Sequence, residues 1–295
     1  MKRREFIGYS AAAGAIGANY ESAHAFTLPD PKQKAQLKIS CQEGLAPGET
    51  LAAKLDFLES AGYVGLEVGG KDLSKKVTDY QKNLKNRKIK MSAICAGFTG
   101  VLISDQESIR KEAMDSIKEI LAAAGELNST GMIMVPAFNG QTKLSFEEGR
   151  KILVDEMKEL GEYALSVKSR VLLEPLNRKE AFFLRMLADA AAICKDVNSP
   201  AVCCMGDFWH MTWEETSDLG GIISAGNYIH HMHIASRKTR NIPGEDEGDN
   251  YVDGFRGLKL IGFTDYVSFE CGAKGDRAKS LTAAVPLLKK QWEMA

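Results

Sequence analysis

The sequence predicts a single-domain α/β protein, a (β/α)8 TIM barrel over residues 26–295. Three observations lead there. Short apolar segments with β propensity alternate eight times with longer segments whose apolar residues recur at helical spacing. A segment such as Val171-Leu172-Leu173 is apolar on both faces, as a buried parallel strand is. Chemistry-bearing side chains stand where several of these segments stop, and a barrel gathers such ends at one mouth. A doubly wound nucleotide-binding sheet would call for a Gly-rich phosphate turn, and neither G-x-G-x-x-G nor a Walker sequence appears.

The elements follow in order. Residues 37–41 form the first strand, and a helix over 49–61 carries Leu51, Leu55 and Leu58 on one stripe. Residues 63–68 form the second strand, closed by Gly69-Gly70, and 89–95 the third. A helical stripe of Ile109, Ala113, Ile117 and Leu121 marks 104–124. The fourth strand, 131–135, stops at Pro136. Ser145 and Glu148 make a capping-box pair that opens a helix with Leu153, Met157, Leu160, Ala164 and Val167 on one face. The fifth strand, 170–174, ends because Pro175 has no N–H for the ladder. A helix over 182–197 is stopped by Asn198-Ser199-Pro200. Strands six and seven are 201–207 and 228–235, the eighth lies within 263–271, and the last helix covers 278–293.

Composition narrows the function. With 38 basic and 39 acidic residues the net charge is -1, and no basic run occurs beyond the first four residues, which argues against a nucleic-acid surface. No apolar run approaches the length of a membrane span. Met1 to Ala25 reads as an export signal: Arg3-Arg4 before Phe6-Ile7, a mildly apolar Ala/Gly run, then Ala23-His24-Ala25 at signal-peptidase spacing. The paired arginines are those of a twin-arginine signal, so a periplasmic location is expected. A basic N-terminal tail is the plainer alternative. The six cysteines show no C-x-x-C and no regular spacing, so they read as buried thiols.

The chemistry collects at the last four strands. Glu174 ends the fifth, Asp207 the sixth and Glu270 the eighth. In the seventh, His231 and His233 share a face because side chains alternate. Taken singly, each has a plainer explanation. Glu174 would pair with Arg178, Asp207 would cap a helix, His231 would be a core histidine, and His210 would cap the segment after the sixth strand. Together, three carboxylates and an imidazole at one mouth would repel or take up protons unless a cation joins them. Mostly oxygen donors with one nitrogen suit one divalent ion, Mn, Mg, Co or Zn.

Glu174, the segment GDFWHMTWEE at 206–215, HMHIA and YVSFEC together resemble the xylose-isomerase-like barrel superfamily of sugar isomerases and epimerases. The nearest likeness is to ketose 3-epimerases and hydroxypyruvate-isomerase-like members. The resemblance implies that Glu174, Asp207, His233 and Glu270 bind one metal ion, and that Glu180, His210 and Arg240 support a sugar substrate. It implies an isomerase or epimerase in which Glu174 and Glu270 move a proton through an enediolate of a ketose or related keto-sugar. The alternative is a lyase or dehydratase acting on a 3-keto-glycoside or inosose at the same site. The oligomeric state is open, a homo-oligomer included. Two departures from the family pattern fall on the substrate side: the acidic run PGEDEGDNYVDGF, and Ser236 where Asp or Asn is usual. Trp209 is either a sugar-stacking ring or a packing residue. The DNA-repair branch with three zinc ions needs histidines at early strand ends, where this chain has Glu67, Val68, Cys95 and Ala96.

Overall fold

Eight parallel strands pair in sequence order and the eighth returns to the first, closing a barrel. The computed structural model describes residues 34–295. The export signal expected over residues 1–25 lies outside the described residues. The strands are β1 (Lys38–Gln42), β2 (Gly65–Gly69), β3 (Lys90–Cys95), β4 (Met132–Met134), β5 (Val171–Leu173), β6 (Val202–Asp207), β7 (Ile229–Ile234) and β8 (Tyr266–Phe269). The helices are α1 (Leu51–Ala61), α2 (Val77–Leu84), α3 (Glu107–Glu126), α4 (Phe146–Ser166), α5 (Leu187–Val197), α6 (Phe208–Glu214), α7 (Asp218–Ala225), α8 (Val252–Leu260) and α9 (Arg277–Met294). Among the described residues no helix is long and apolar enough to cross a membrane.

Each predicted strand is present, displaced by a residue or two at its ends. Helix α4 carries the capping box expected for it, and α1 is capped by a residue the sequence reading placed inside the helix. Thr50 accepts from the Ala53 N–H at the start of α1, and Ser145 with Glu148 closes both bonds of the capping box of α4. Helix α5 begins at Leu187, not at residue 182. The Leu176 N–H bonds to the Leu184 carbonyl (3.1 Å), which folds 182–186 back as a loop. Glu215 then takes the Leu187 N–H at 2.8 Å and caps the helix from a distant segment. Helices α2, α6, α7 and α8 have no place in the sequence reading. They are short, and α7 and α8 each hold two glycines, which weaken a helical signal.

The barrel lining is divided. Ala93, Ile133, Leu172, Cys203 and Met205 form a small apolar cluster on the β3–β6 side. The opposite side carries buried polar groups: Ser40, Glu67, His231, His233 and Ser268. The outer strand faces, such as Leu66, Met132, Leu173, Met232 and Val267, join one large core with the helices. Truncating a wholly buried leucine in either layer would cost about 2–5 kcal/mol. Gly65 lets β1 and β2 approach: a Cβ there would lie 2.7 Å from both Ser40 and the Tyr266 ring. The six cysteines are free thiols.

Candidate metal centre

Local sequence sets each ligand candidate. The Glu174 N–H makes one more ladder bond, to the Met134 carbonyl (3.0 Å), before Pro175 ends the strand. Its carboxyl is thereby left at the carboxyl mouth, 5% exposed. It does not pair with Arg178, whose guanidinium takes Glu214 instead at 2.9 Å. Asp207 is both last residue of β6 and N-cap of α6. Its Oδ1 accepts the Trp209 N–H at 2.8 Å, which leaves Oδ2 for the mouth. The capping role expected of a strand-end acid thus uses one oxygen only. Phe208 anchors this abrupt strand-to-helix turn edge-on against Phe255 (5.9 Å). Gly254 makes room, since a Cβ there would stand 2.2 Å from the Phe208 ring.

His233 projects inward from β7 and is wholly buried. Its Nδ1 lies 3.5 Å from Glu174 Oε1 and 3.3 Å from Glu270 Oε2. One ligand atom from each of Glu174, Asp207, His233 and Glu270 lies within 4.8 Å of the others. Donors about 2.0–2.2 Å from a cation stay within about 4.4 Å of one another. The four side chains are therefore near the spacing that a shared cation requires. Glu174 Oε1 and His233 Nδ1 are buried without a hydrogen-bond partner, a costly state that a cation between them relieves. These observations fit a divalent ion.

Without a cation the electrostatics of the cluster are strained. Burial, helped by the Glu270 and Asp207 charges and opposed by the His233 imidazole, raises Glu174 to about 7. Burial and the Glu270 charge raise Asp207 to about 6. Burial would also raise Glu270, but His233 and Arg240 hold it well below the usual carboxylate range. His233 goes the other way: burial is outweighed by Glu67, Glu270 and Glu174, which hold it far above an ordinary imidazole.

The three residues expected to support a substrate surround this cluster. Arg240 Nη2 bonds to Glu270 Oε2 (2.6 Å) and lies 3.4 Å from Asp207 Oδ2 and from His210 Nε2. Its Nη1 is 3.8 Å from Glu180. His210, inside α6 and not a cap, receives the Asn177 N–H on Nδ1 at 3.1 Å. Burial, then Arg240, push it down to about 3, so the ring is neutral and its hydrogen is on Nε2, facing the mouth. Asn177 Nδ2 reaches both His210 Nδ1 (2.8 Å) and Glu180 Oε1 (2.9 Å). The sequence reading gave Asn177 no role, although it stands between Glu174 and Glu180, both named there. Trp209 has the Arg240 guanidinium over its ring at 4.5 Å, so one face is covered by protein.

The acidic run after β7 is scaffold for Arg240. Asp249 accepts from Ser236 Oγ, the Arg237 N–H and the Gly244 N–H, and Asp246 accepts from Thr239. Glu245 binds the Lys274 and Gly275 N–H groups beyond β8. Ser236, the departure noted above, is one of these staples. The backbone they fix holds Arg240 at φ 56.

Glu67 is the buried acid that sequence reasoning passed over. It contacts both inward histidines: His231 Nε2 at 2.8 Å and His233 Nε2 at 3.0 Å. Its only signal in sequence is an acid inside a strand. His231 is a core histidine as expected, but only half satisfied, since its Nδ1 has no partner. A 430 Å³ cavity lined by Gln42, Leu45, Cys271 and Arg277 adjoins the cluster, because Gln42 touches Glu270. A larger 850 Å³ cleft between the turn after β2 and α3 shares no residue with it. Four of the charges lining that cleft pair with one another, Lys75 with Asp72 and Lys111 with Asp115.

A closed parallel barrel with acids and an imidazole converging at its carboxyl mouth defines a class of (β/α)8 proteins with a candidate metal centre. The chain belongs to the xylose isomerase-like TIM barrel family, whose model matches residues 55–291. It is 27% identical over 243 residues to the 3-dehydro-D-guloside 4-epimerase of Escherichia coli, covering 79% of this chain and 92% of that one. A solved 3-keto-D-glucoside 4-epimerase from E. coli superposes with a TM-score of 0.79 at 25% identity, covering 86% of this chain and 100% of that one. A D-psicose 3-epimerase from Clostridium cellulolyticum, solved with D-tagatose, shares the fold with a TM-score of 0.78 at 18% identity, covering 86% and 99%. These relatives are sugar epimerases, enzymes of the isomerase class.

Proposed function

We propose that this chain is a divalent-metal-dependent epimerase of keto-sugars, with 3-keto-glycosides as its substrate class, and that Glu174 and Glu270 carry the proton. The observation that carries the reading is the placement of these two carboxylates. They come from β5 and β8, on different arcs of the ring, and both approach His233 Nδ1. One takes the proton from the carbon beside the ketone and the other returns one to the opposite face, which inverts that centre through an enediolate. A cation held by Glu174, Asp207, His233 and Glu270 would supply Lewis-acid polarisation of the carbonyl. Arg240 and the Nε2–H of His210 face the same space and donate to substrate oxygens. Glu180, tied to Asn177, accepts from a hydroxyl. Coverage of 92% of a 3-dehydro-glycoside epimerase supports the substrate class. Export through the twin-arginine signal would place the enzyme where glycosides arrive.

The test is incubation of metal-loaded protein with 3-keto-glycosides and free ketoses in heavy water. The expected result is an isomer of unchanged composition carrying one deuterium at the inverted carbon. Release of an aglycone or of water would assign the lyase chemistry instead. Metal-loaded protein that exchanges no carbon-bound hydrogen with any keto-sugar would refute both.

A further inference from the structure

Strands β1 and β2 supply no ligand to the candidate centre, yet each sends a polar side chain to it, the half-buried Gln42 from β1 and the buried Glu67 from β2. Glu67 is wholly buried, and a carboxylate there is tolerated only if its lone pairs are taken up. Three side chains do so. His231 Nε2 lies 2.8 Å from Oε2. His233 Nε2 lies 3.0 and 3.1 Å from the two oxygens. Gln42 Nε2 lies 2.9 Å from Oε1 and also 3.2 Å from Glu270 Oε1. An ionised carboxylate only accepts, so the facing nitrogens carry the hydrogens. Without a cation the surrounding carboxylates keep His233 protonated on both nitrogens; a cation displaces one proton, and the neutral ring then keeps a single N–H. With that hydrogen on Nε2, the lone pair of His233 is on Nδ1, the buried atom left without a partner beside Glu174 and Glu270. The irregularities in the ladder fall at the same level, between Leu66 and Val68 in β2 and between Cys204 and Gly206 in β6 beside β7. Such irregularities re-aim side chains near functional sites.

We propose that Glu67 is a positioning residue of the metal centre: it holds His233 in the tautomer whose Nδ1 is free to ligate, and Gln42 couples it to Glu270. The non-ligating strands thereby orient two of the four ligands. Ligand-orienting carboxylates of this kind typically change metal affinity 10–100-fold when removed. The rival reading makes Glu67, His231 and His233 a second cation site, since their ligand atoms also lie close together. Separations of 2.8–3.1 Å are hydrogen-bond lengths, and a shared hydrogen accounts for each.

The inference rests on the metal-centre reading, and its test needs no sugar. Zinc is titrated into wild type, Glu67→Gln and Gln42→Ala by calorimetry with chelator competition. Nitrogen-15 NMR of the histidine rings reads the tautomer in zinc-loaded wild type. The expected results are one zinc per chain and, on zinc binding, His233 passing from the doubly protonated ring to the Nε2–H form with zinc on Nδ1. Affinity should fall 10–100-fold in Glu67→Gln, with a smaller fall in Gln42→Ala. Should Glu67→Gln fail to fold, the wild-type tautomer still decides. An Nδ1–H tautomer in zinc-loaded wild type, two zinc ions per chain, or unchanged affinity in a folded Glu67→Gln would overturn the proposal. An enzyme with the expected tautomer and affinities but no epimerase activity would overturn the functional reading alone.

Discussion

Replacing Glu270 with Gln keeps the shape of the side chain and removes its ability to take a proton. Glu270 Oε1 accepts from Gln42 Nε2 at 3.2 Å and Oε2 from Arg240 Nη2 at 2.6 Å. An amide can accept only through its oxygen, so its NH2 group must face one of these donors. Loss of a general base costs about 10²–10⁴ in rate. At 1.36 kcal/mol per decade that is about 2.7–5.4 kcal/mol of barrier. One ligand is weakened as well, so the comparison belongs at saturating metal. The assay is the rate of solvent deuterium uptake at the epimerised carbon, read by mass spectrometry. The expected slowing is 10²–10⁴-fold. Uptake within about threefold of wild type at saturating metal would remove Glu270 from the proton path and refute the two-carboxylate reasoning.

Other expectations follow from particular contacts. Asn177→Ala removes the Nδ2 bonds to His210 and Glu180 but keeps the backbone bond to His210. At about 0.5–1.5 kcal/mol per bond, KM should rise roughly 5–160-fold with metal affinity unchanged, and a fall in metal affinity would contradict this. Glu156 on α4 has a buried Oε2 without a partner, and burial, opposed by Arg110, raises its carboxyl to about 8. The folded state therefore binds more protons than the unfolded state between about pH 4.5 and 8, so this group's contribution to stability falls as pH rises through that window. The melting temperature of Glu156→Gln relative to wild type should climb from pH 5 to pH 8, and a flat or falling difference would contradict the assignment. Arg3→Lys together with Arg4→Lys should strand the protein in the cytoplasm on fractionation, and undiminished export would refute the twin-arginine reading.

What the sequence made legible was local. Glu174, Asp207 and Glu270 are visible because a β-prone apolar run stops at each, and Pro175 fixes one of the stops. His233 is visible because side chains alternate along a strand. Glu67 was not, because its partners are 164 and 166 residues away and only barrel closure brings β2 beneath β7. The acidic run after β7 read as a departure from the family pattern. Its function as a set of backbone acceptors that hold Arg240 depends on hydrogen bonds that no spacing encodes. Helix α8 was hidden by Gly254 and Gly257, yet a Cβ at Gly254 would collide with the Phe208 ring at 2.2 Å and one at Gly257 would crowd Ile222 at 3.0 Å. Tertiary packing requires glycine there against its helix propensity.

The claim on which all of this depends is a single cation at the mouth of the barrel. Crystals grown with manganese and measured for anomalous scattering test it directly. The account predicts one strong peak per chain at ligand distance from Glu174, Asp207, Nδ1 of His233 and Glu270. A peak confined to the cleft beside α3, or no peak with those four side chains placed as described, would contradict it.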